Sequence, residues 1–139
     1  MAGIALFLQS ESNDYQQLLR DDCLDATRRH RMPVRVFCAA NDAARQSEQI
    51  RDVLAECAAD RPSVMLVSPV EETSLPDLAT EAGRSGVGWV LLNRWSDILD
   101  GLRSQFPALP IFSVTPDQYE IGHVQGRQFR KLLPKGGED

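Results

Sequence analysis

Val87-Gly88-Trp89-Val90-Leu91-Leu92 is a run without one polar side chain, and Asn93-Arg94-Trp95 follows it at once. A strand that faces solvent on one side alternates apolar and polar residues. A continuous apolar run is the mark of a strand covered on both faces, as in a parallel sheet flanked by helices. The same transition occurs at Gly3–Gln9 before Ser10-Glu11-Ser12-Asn13-Asp14, and at Val64–Val67 before Ser68-Pro69. It recurs at Ile111–Val114 before Thr115-Pro116-Asp117. Polar residues thus gather where the strands end, and in open α/β sheets the carboxyl ends of the strands are where ligands bind.

Strands and helices alternate along the whole chain. A strand at Gly3–Gln9 precedes a helix from about Asp14 to Arg31, with Tyr15, Leu18, Leu19, Cys23 and Ala26 at helical spacing. Met32-Pro33 stops it, and Val34–Ala39 is the second strand. Asn41-Asp42 offers an N-cap to a second helix, which carries Ile50, Val53, Leu54 and Cys57 and ends at Asp60-Arg61-Pro62. Ser63–Val67 is the third strand; Thr73 or Ser74 is placed to cap a helix at Leu75–Ser85, closed by Gly86. Val87–Leu92 is the fourth, with Ser96 as cap for a helix from Asp97 to about Phe106. Ile111–Val114 is the fifth, then a helix from about Gln118 to Leu133 and a loose tail, Pro134–Asp139. Right-handed crossovers turn this order into a doubly wound, five-stranded parallel sheet with helices on both faces, Rossmann- or flavodoxin-like.

The chain has 139 residues, 42% hydrophobic and 25% charged, the size and composition of one globular domain. Its net charge of −5 provides no basic face for nucleic acid. No apolar stretch approaches the roughly 18–20 residues of a membrane helix. The first residues enter a strand without a charged n-region, an apolar h-region or a cleavage site, so no export signal is expected within them. Cys23, Cys38 and Cys57 lie outside any metal-ligand spacing and are expected to be core thiols.

Catalytic signatures are missing. Gly83-Arg84-Ser85-Gly86-Val87-Gly88 resembles a nucleotide loop in composition, but it closes a helix and opens a strand. A phosphate loop does the reverse, so these glycines are expected to form a helix stop and turn. His30 and His123 are isolated, with no metal ligand at a known spacing. There is no GxSxG, HExxH or Walker lysine, and the adjacent Glu71-Glu72 reads as a solvated loop. A phosphorelay receiver would need an aspartate after the third strand and a lysine after the fifth. Ser68-Pro69 and Thr115-Pro116-Asp117 stand there instead. The expectation is a protein that is not an enzyme and holds neither metal nor cofactor.

What remains is a rim rich in hydrogen-bonding groups. Asn13, Asp14, Ser68, Asn93, Arg94 and Asp117 supply donors and acceptors, and Tyr15 or Trp95 can stack on a flat or pyranose face. A small ligand with many hydroxyls needs this mix. Asn13, Asp14 and Asp117 each lie at a helix start, where capping explains them as well as binding does. Arg94 directly follows a buried strand and is expected to have a partner.

Val67-Ser68-Pro69, Gly86-Val87-Gly88-Trp89-Val90-Leu91-Leu92-Asn93-Arg94 and the segment from Thr115 to Gly126 together carry a family resemblance. Across nearly its whole length the chain resembles the type I periplasmic binding proteins, sugar receptors that share their fold with the ligand domains of the lactose-repressor class. The resemblance implies that Asn93 and Arg94 contact the sugar at the end of the fourth strand. It implies the same for Asp117 at the crossover, and more loosely for Tyr15 as the aromatic after the first strand. Members of the family have two lobes that close on ligand about a hinge. Residues 1–117 correspond to the first lobe, and 118–139 to the hinge crossover and the opening helix of a second.

The implied function is solute binding for an ABC importer, with the importer's membrane subunits as partners and the periplasm as the parent's compartment. Two other readings fit the same residues. One is a ligand-sensing domain of a transcription regulator or sensor kinase. The other is a free-standing flavodoxin-like module that binds a partner, or a second copy, through its last helix. That helix carries Ile121, Val124, Phe129, Leu132 and Leu133 as an apolar stripe expected to lack cover.

Overall fold

The computed structural model describes residues 3–133. Its elements alternate without exception: β1 Ile4–Leu8, α1 Asp14–Arg29, β2 Val34–Cys38, α2 Ala43–Ala55, β3 Val64–Val67, α3 Leu75–Arg84, β4 Gly88–Leu92, α4 Ile98–Gln105, β5 Ile111–Val114 and α5 Gln118–Leu132. The strands form one parallel sheet in the order β2-β1-β3-β4-β5. The step from β1 to β2 moves one way across it, and every later step moves the other way. Right-handed crossovers therefore put α1 on one face and α2, α3 and α4 on the opposite one.

The core divides accordingly. Ala5, Phe7, Met65, Val67, Trp89, Leu91 and Ile111 pack against Ile50 and Val53 of α2, Leu78 and Ala82 of α3, and Leu99 and Leu102 of α4. The alternate residues Leu6, Leu8, Val90 and Leu92 pack against Leu19 and Cys23 of α1. At the outer edge of the sheet Arg35 forks onto Glu56, with Nη1–Oε1 2.7 Å and Nη2–Oε2 2.9 Å, and lies over the Phe37 ring. These hydrogen bonds hold the Glu56 carboxyl below the usual carboxylate range.

Gly83, Gly86 and Gly88 are structural. Gly86 has φ +75°, its N–H bonds the Gly83 carbonyl, and the Val87 N–H bonds the Ala82 carbonyl. These two bonds form a Schellman stop for α3. A Cβ on Gly83 would meet the Phe106 ring at 2.3 Å, so this residue lets α3 and the end of α4 approach.

Several local expectations need correction. Tyr15 and Leu18 are exposed; the inward side of α1 is Gln16, Leu19, Cys23 and Thr27. Helix α2 ends at Ala55, which leaves Cys57 exposed with its thiol on Asp60 rather than in the core. Ser74 is the N-cap residue of α3, but neither it nor Thr73 caps the helix by its side chain; the Glu71 carboxylate instead holds the turn before it, accepting from both their amides and from the Ser74 hydroxyl. Ser96 contributes only its carbonyl, to the Leu99 N–H, and α4 begins at Ile98 without a side-chain cap. The cap expected from Asn41-Asp42 for α2 is supplied by Asp42. The tail Pro134–Asp139 lies outside the described residues.

Candidate functional site

Loops that leave β1, β3, β4 and β5 meet at the carboxyl edge of the sheet around one open depression of about 1030 Å³. Asn13, Tyr15, Ser68, Asn93, Arg94, Trp95 and Asp117 all line it. Asp14 does not; it is the first residue of α1, where a carboxylate faces the positive end of the helix.

Each lining residue has a local reason for its position. The Asn13 side-chain oxygen caps α1 through the Gln16 N–H at 2.8 Å, and Asp117 caps α5 through the Glu120 N–H at 3.0 Å. Capping uses one oxygen in each case, which leaves the Asn13 amide NH₂ and the second Asp117 oxygen for a ligand. Asn93 has φ +62°, a left-handed conformation that asparagine tolerates better than most residues. Its N–H still bonds the Val114 carbonyl at 2.7 Å, so the chain turns at the rim while staying tied to β5. The Tyr15 hydroxyl donates to the Asn93 side-chain oxygen and so joins α1 to the end of β4. Trp95 is 56% exposed, with its indole N–H toward Asp97 at 3.3 Å.

The partner expected for Arg94 is Glu72: Nη1 lies 3.0 Å from Oε1. Glu72 is an exposed loop residue, as expected, and also carries this ion pair. Because β3 and β4 are neighbours, the loops after them lie side by side and bring the two charges together.

Ser68 is buried beneath the rim, its hydroxyl accepting from Gln16 Nε2 at 3.1 Å. Gln46 of α2, also buried, donates to the Ser68 carbonyl at 2.9 Å and accepts from the Val70 N–H at 3.0 Å. Two glutamines from two helices thus pin Ser68-Pro69-Val70. Immediately after it, hydrogen bonds from Thr73 and then Ser74 hold the Glu71 carboxyl below its usual range and fix the turn.

Gln16, Glu72 and Tyr119 line the depression and were not expected there from the sequence. A polar residue at an inward helical position was the available signal for Gln16. For Glu72 and Tyr119 the linear pattern carried none. Among the described residues no group of three or more His, Cys, Asp or Glu side chains is placed to hold a metal ion. Among the described residues no helix is long and apolar enough to cross a membrane.

No protein-family model and no curated protein sequence matches the chain. Solved structures do. A periplasmic solute-binding protein of an ABC transporter from Actinobacillus succinogenes, with bound D-allose, superposes at a TM-score of 0.77 and 15% identity, over 97% of this chain and 46% of that one. The Caulobacter myo-inositol binding protein, bound to myo-inositol, gives 0.73 at 17% identity, over 96% and 41%. A periplasmic sugar-binding protein from Pseudomonas fluorescens gives 0.77 at 16% identity, over 99% and 39%. At such identities the comparison establishes the fold. The chain is an α/β layer of the kind that forms a lobe of periplasmic binding proteins, and it spans less than half the length of these three. The resemblance drawn from Asn93-Arg94 and Thr115–Gly126 holds at that level, and these neighbours are binding proteins rather than enzymes.

Proposed function

We propose that this chain is the first lobe of an extracytoplasmic solute receptor that binds a sugar or similar small polar molecule for an ABC importer. The observation that carries this reading is the convergence of four strand-end loops on one depression lined by Asn13, Tyr15, Asn93, Arg94, Trp95 and Asp117. Asn93 and Arg94 hydrogen-bond ligand hydroxyls, Asp117 accepts one, and Tyr15 or Trp95 stacks on the ring. Ser68 acts from below by fixing the floor.

Residues 1–117 form the lobe, and 118–139 form the crossover and opening helix of a second lobe. In support, α1 to α4 each bury residues in this sheet whereas α5 buries none. Two of the three structural neighbours are periplasmic proteins, each more than twice this length, and that compartment is assigned to the parent protein.

A hydrogen bond between a charged and a neutral group contributes about 1.5–3 kcal/mol. Arg94→Ala in the two-lobed protein is therefore expected to weaken binding of the sugar at least about tenfold by calorimetry, with D-allose, L-arabinose and myo-inositol as first probes. Unchanged affinity removes Arg94 from the site.

One observation favours a second reading, a module that associates with itself or a partner. Ile121, Val124, Phe129 and Leu132 on α5, Leu133 just after it, and Phe112 and Val114 on β5, are all exposed. Light scattering separates the two readings: a dimer of the isolated chain supports the module, and a monomer argues against it.

A further inference from the structure

We propose that Glu72 sets the charge selectivity of the depression, so that it takes a neutral polyhydroxylated ligand and rejects the carboxylate analogue of the same sugar. This inference rests on the reading of the depression as a sugar site.

The ionisable side chains on its lining, tyrosines aside, are Arg94, Glu72 and Asp117, one cation against two carboxylates. An arginine without a partner is the side chain best suited to fork onto a ligand carboxylate or phosphate. Here Nη1 of Arg94 is already held by Glu72 at 3.0 Å. The pairing partly compensates the guanidinium charge and occupies Nη1, so an anion can fork only onto the Nε–Nη2 edge, and it does so beside the Glu72 carboxylate. Remaining N–H groups of the guanidinium can still donate singly to hydroxyls. Neutral ligands keep their hydrogen bonds, and anionic ones meet a site with an excess of negative charge.

The pair is exposed, 42% at the Arg94 side chain and 61% at Glu72, and two features make its effect readable. First, the Glu72 loop is clamped on both sides. Gln46 holds Val70 before it, and the Glu71 carboxylate ties Thr73 and Ser74 after it. The Leu75 N–H also bonds the Glu72 carbonyl at 3.3 Å. Second, no other carboxylate pairs with Arg94 among the described residues, so removal of Glu72 frees the guanidinium. The positive ends of α1 and α5 at the rim favour anions weakly, but the Asn13 and Asp117 side chains already occupy those caps.

The test titrates the full-length protein that carries this lobe with matched pairs, D-glucose with D-glucuronate and D-galactose with D-galacturonate. The wild type is expected to bind the neutral member of a pair more tightly. Glu72→Gln is expected to shift the ratio toward the acid by about tenfold, in the range of close charge-pair couplings at binding sites. Glu72→Asp should restore the preference, and Arg94→Gln added to Glu72→Gln should abolish the shift. An exposed pair contributes little to folding, so unfolding midpoints should stay within a degree or two, about the size of a surface substitution. Equal weakening of both members by Glu72→Gln would overturn the proposal, because Glu72 would then only position Arg94. A wild type that prefers the acid would overturn it too. If the folded wild type binds neither member nor any other sugar tried, the sugar-site reading itself fails, and this inference falls with it.

Discussion

On the side of the sheet that faces α2, α3 and α4, β1, β3, β4 and β5 all contribute buried residues and β2 the partly buried Phe37, and Ile111 of the edge strand β5 is buried like Trp89 and Met65. On the α1 side burial stops one strand short. Val90 and Leu92 of β4 are 3% and 7% exposed, while their register partners on β5, Phe112 and Val114, are 43% and 54% exposed. The strands are the same, and so is their apolar character. What differs is the number of helices that handed crossovers deliver to each face, three against one. An apolar strand residue is a core residue only where topology supplies a cover.

Trp89 gives the sharpest way to break this contrast. It is among the largest side chains buried on the three-helix face, and its indole N–H makes no hydrogen bond there. Trp89→Ala therefore loses packing and creates a cavity without costing a polar contact. It should destabilise the fold by about 3–5 kcal/mol in urea unfolding. A cost under about 1 kcal/mol would mean that this face is loosely packed and the two faces are alike.

The contrast also marks what the sequence made legible. Strand positions, their parallel arrangement and the stop at Gly86 follow from runs of apolar residues and local turn chemistry. So do the caps at Asn13, Asp42 and Asp117. The rim was legible for the same reason, since polar residues directly after a buried strand can only lie at its carboxyl edge. Helix α1 was harder: Tyr15, Leu18, Leu19 and Cys23 define a broad apolar arc, and only contact with the sheet selects the Leu19–Cys23 side. Gln46 and Glu72 were out of reach because each acts through a partner distant in sequence, on Ser68 or Arg94, brought close by strand order.

Gln46 tests whether the three-helix face also carries the polar support of the rim. Gln46→Leu keeps the side chain's size but leaves the Ser68 carbonyl and the Val70 N–H without their partner. Leaving buried polar groups unpaired costs about 1–3 kcal/mol, and the Val70 amide should exchange with solvent faster. If stability and exchange both stay unchanged, the Ser68–Val70 loop is held by something other than Gln46.

The smallest expected effect compares one substitution at two places. Valine to threonine keeps the shape and the β-branch but exchanges a methyl for a hydroxyl, which must find a partner or water. Val67 on the three-helix face is fully buried, and Val67→Thr should cost about 1–3 kcal/mol. Val114→Thr places its hydroxyl where water already reaches and should stay within about 0.5 kcal/mol of the parent protein. Each valine is the last residue of its parallel strand and the substitution leaves the backbone unchanged, so the difference between the two values reads mainly the cover on each face. A Val114→Thr cost close to that of Val67→Thr, measured on the isolated chain, would show that β5 is covered in solution. Dilution then tells by what: a cost that vanishes at low protein concentration points to a second copy, and one that persists points to α5 of the same chain.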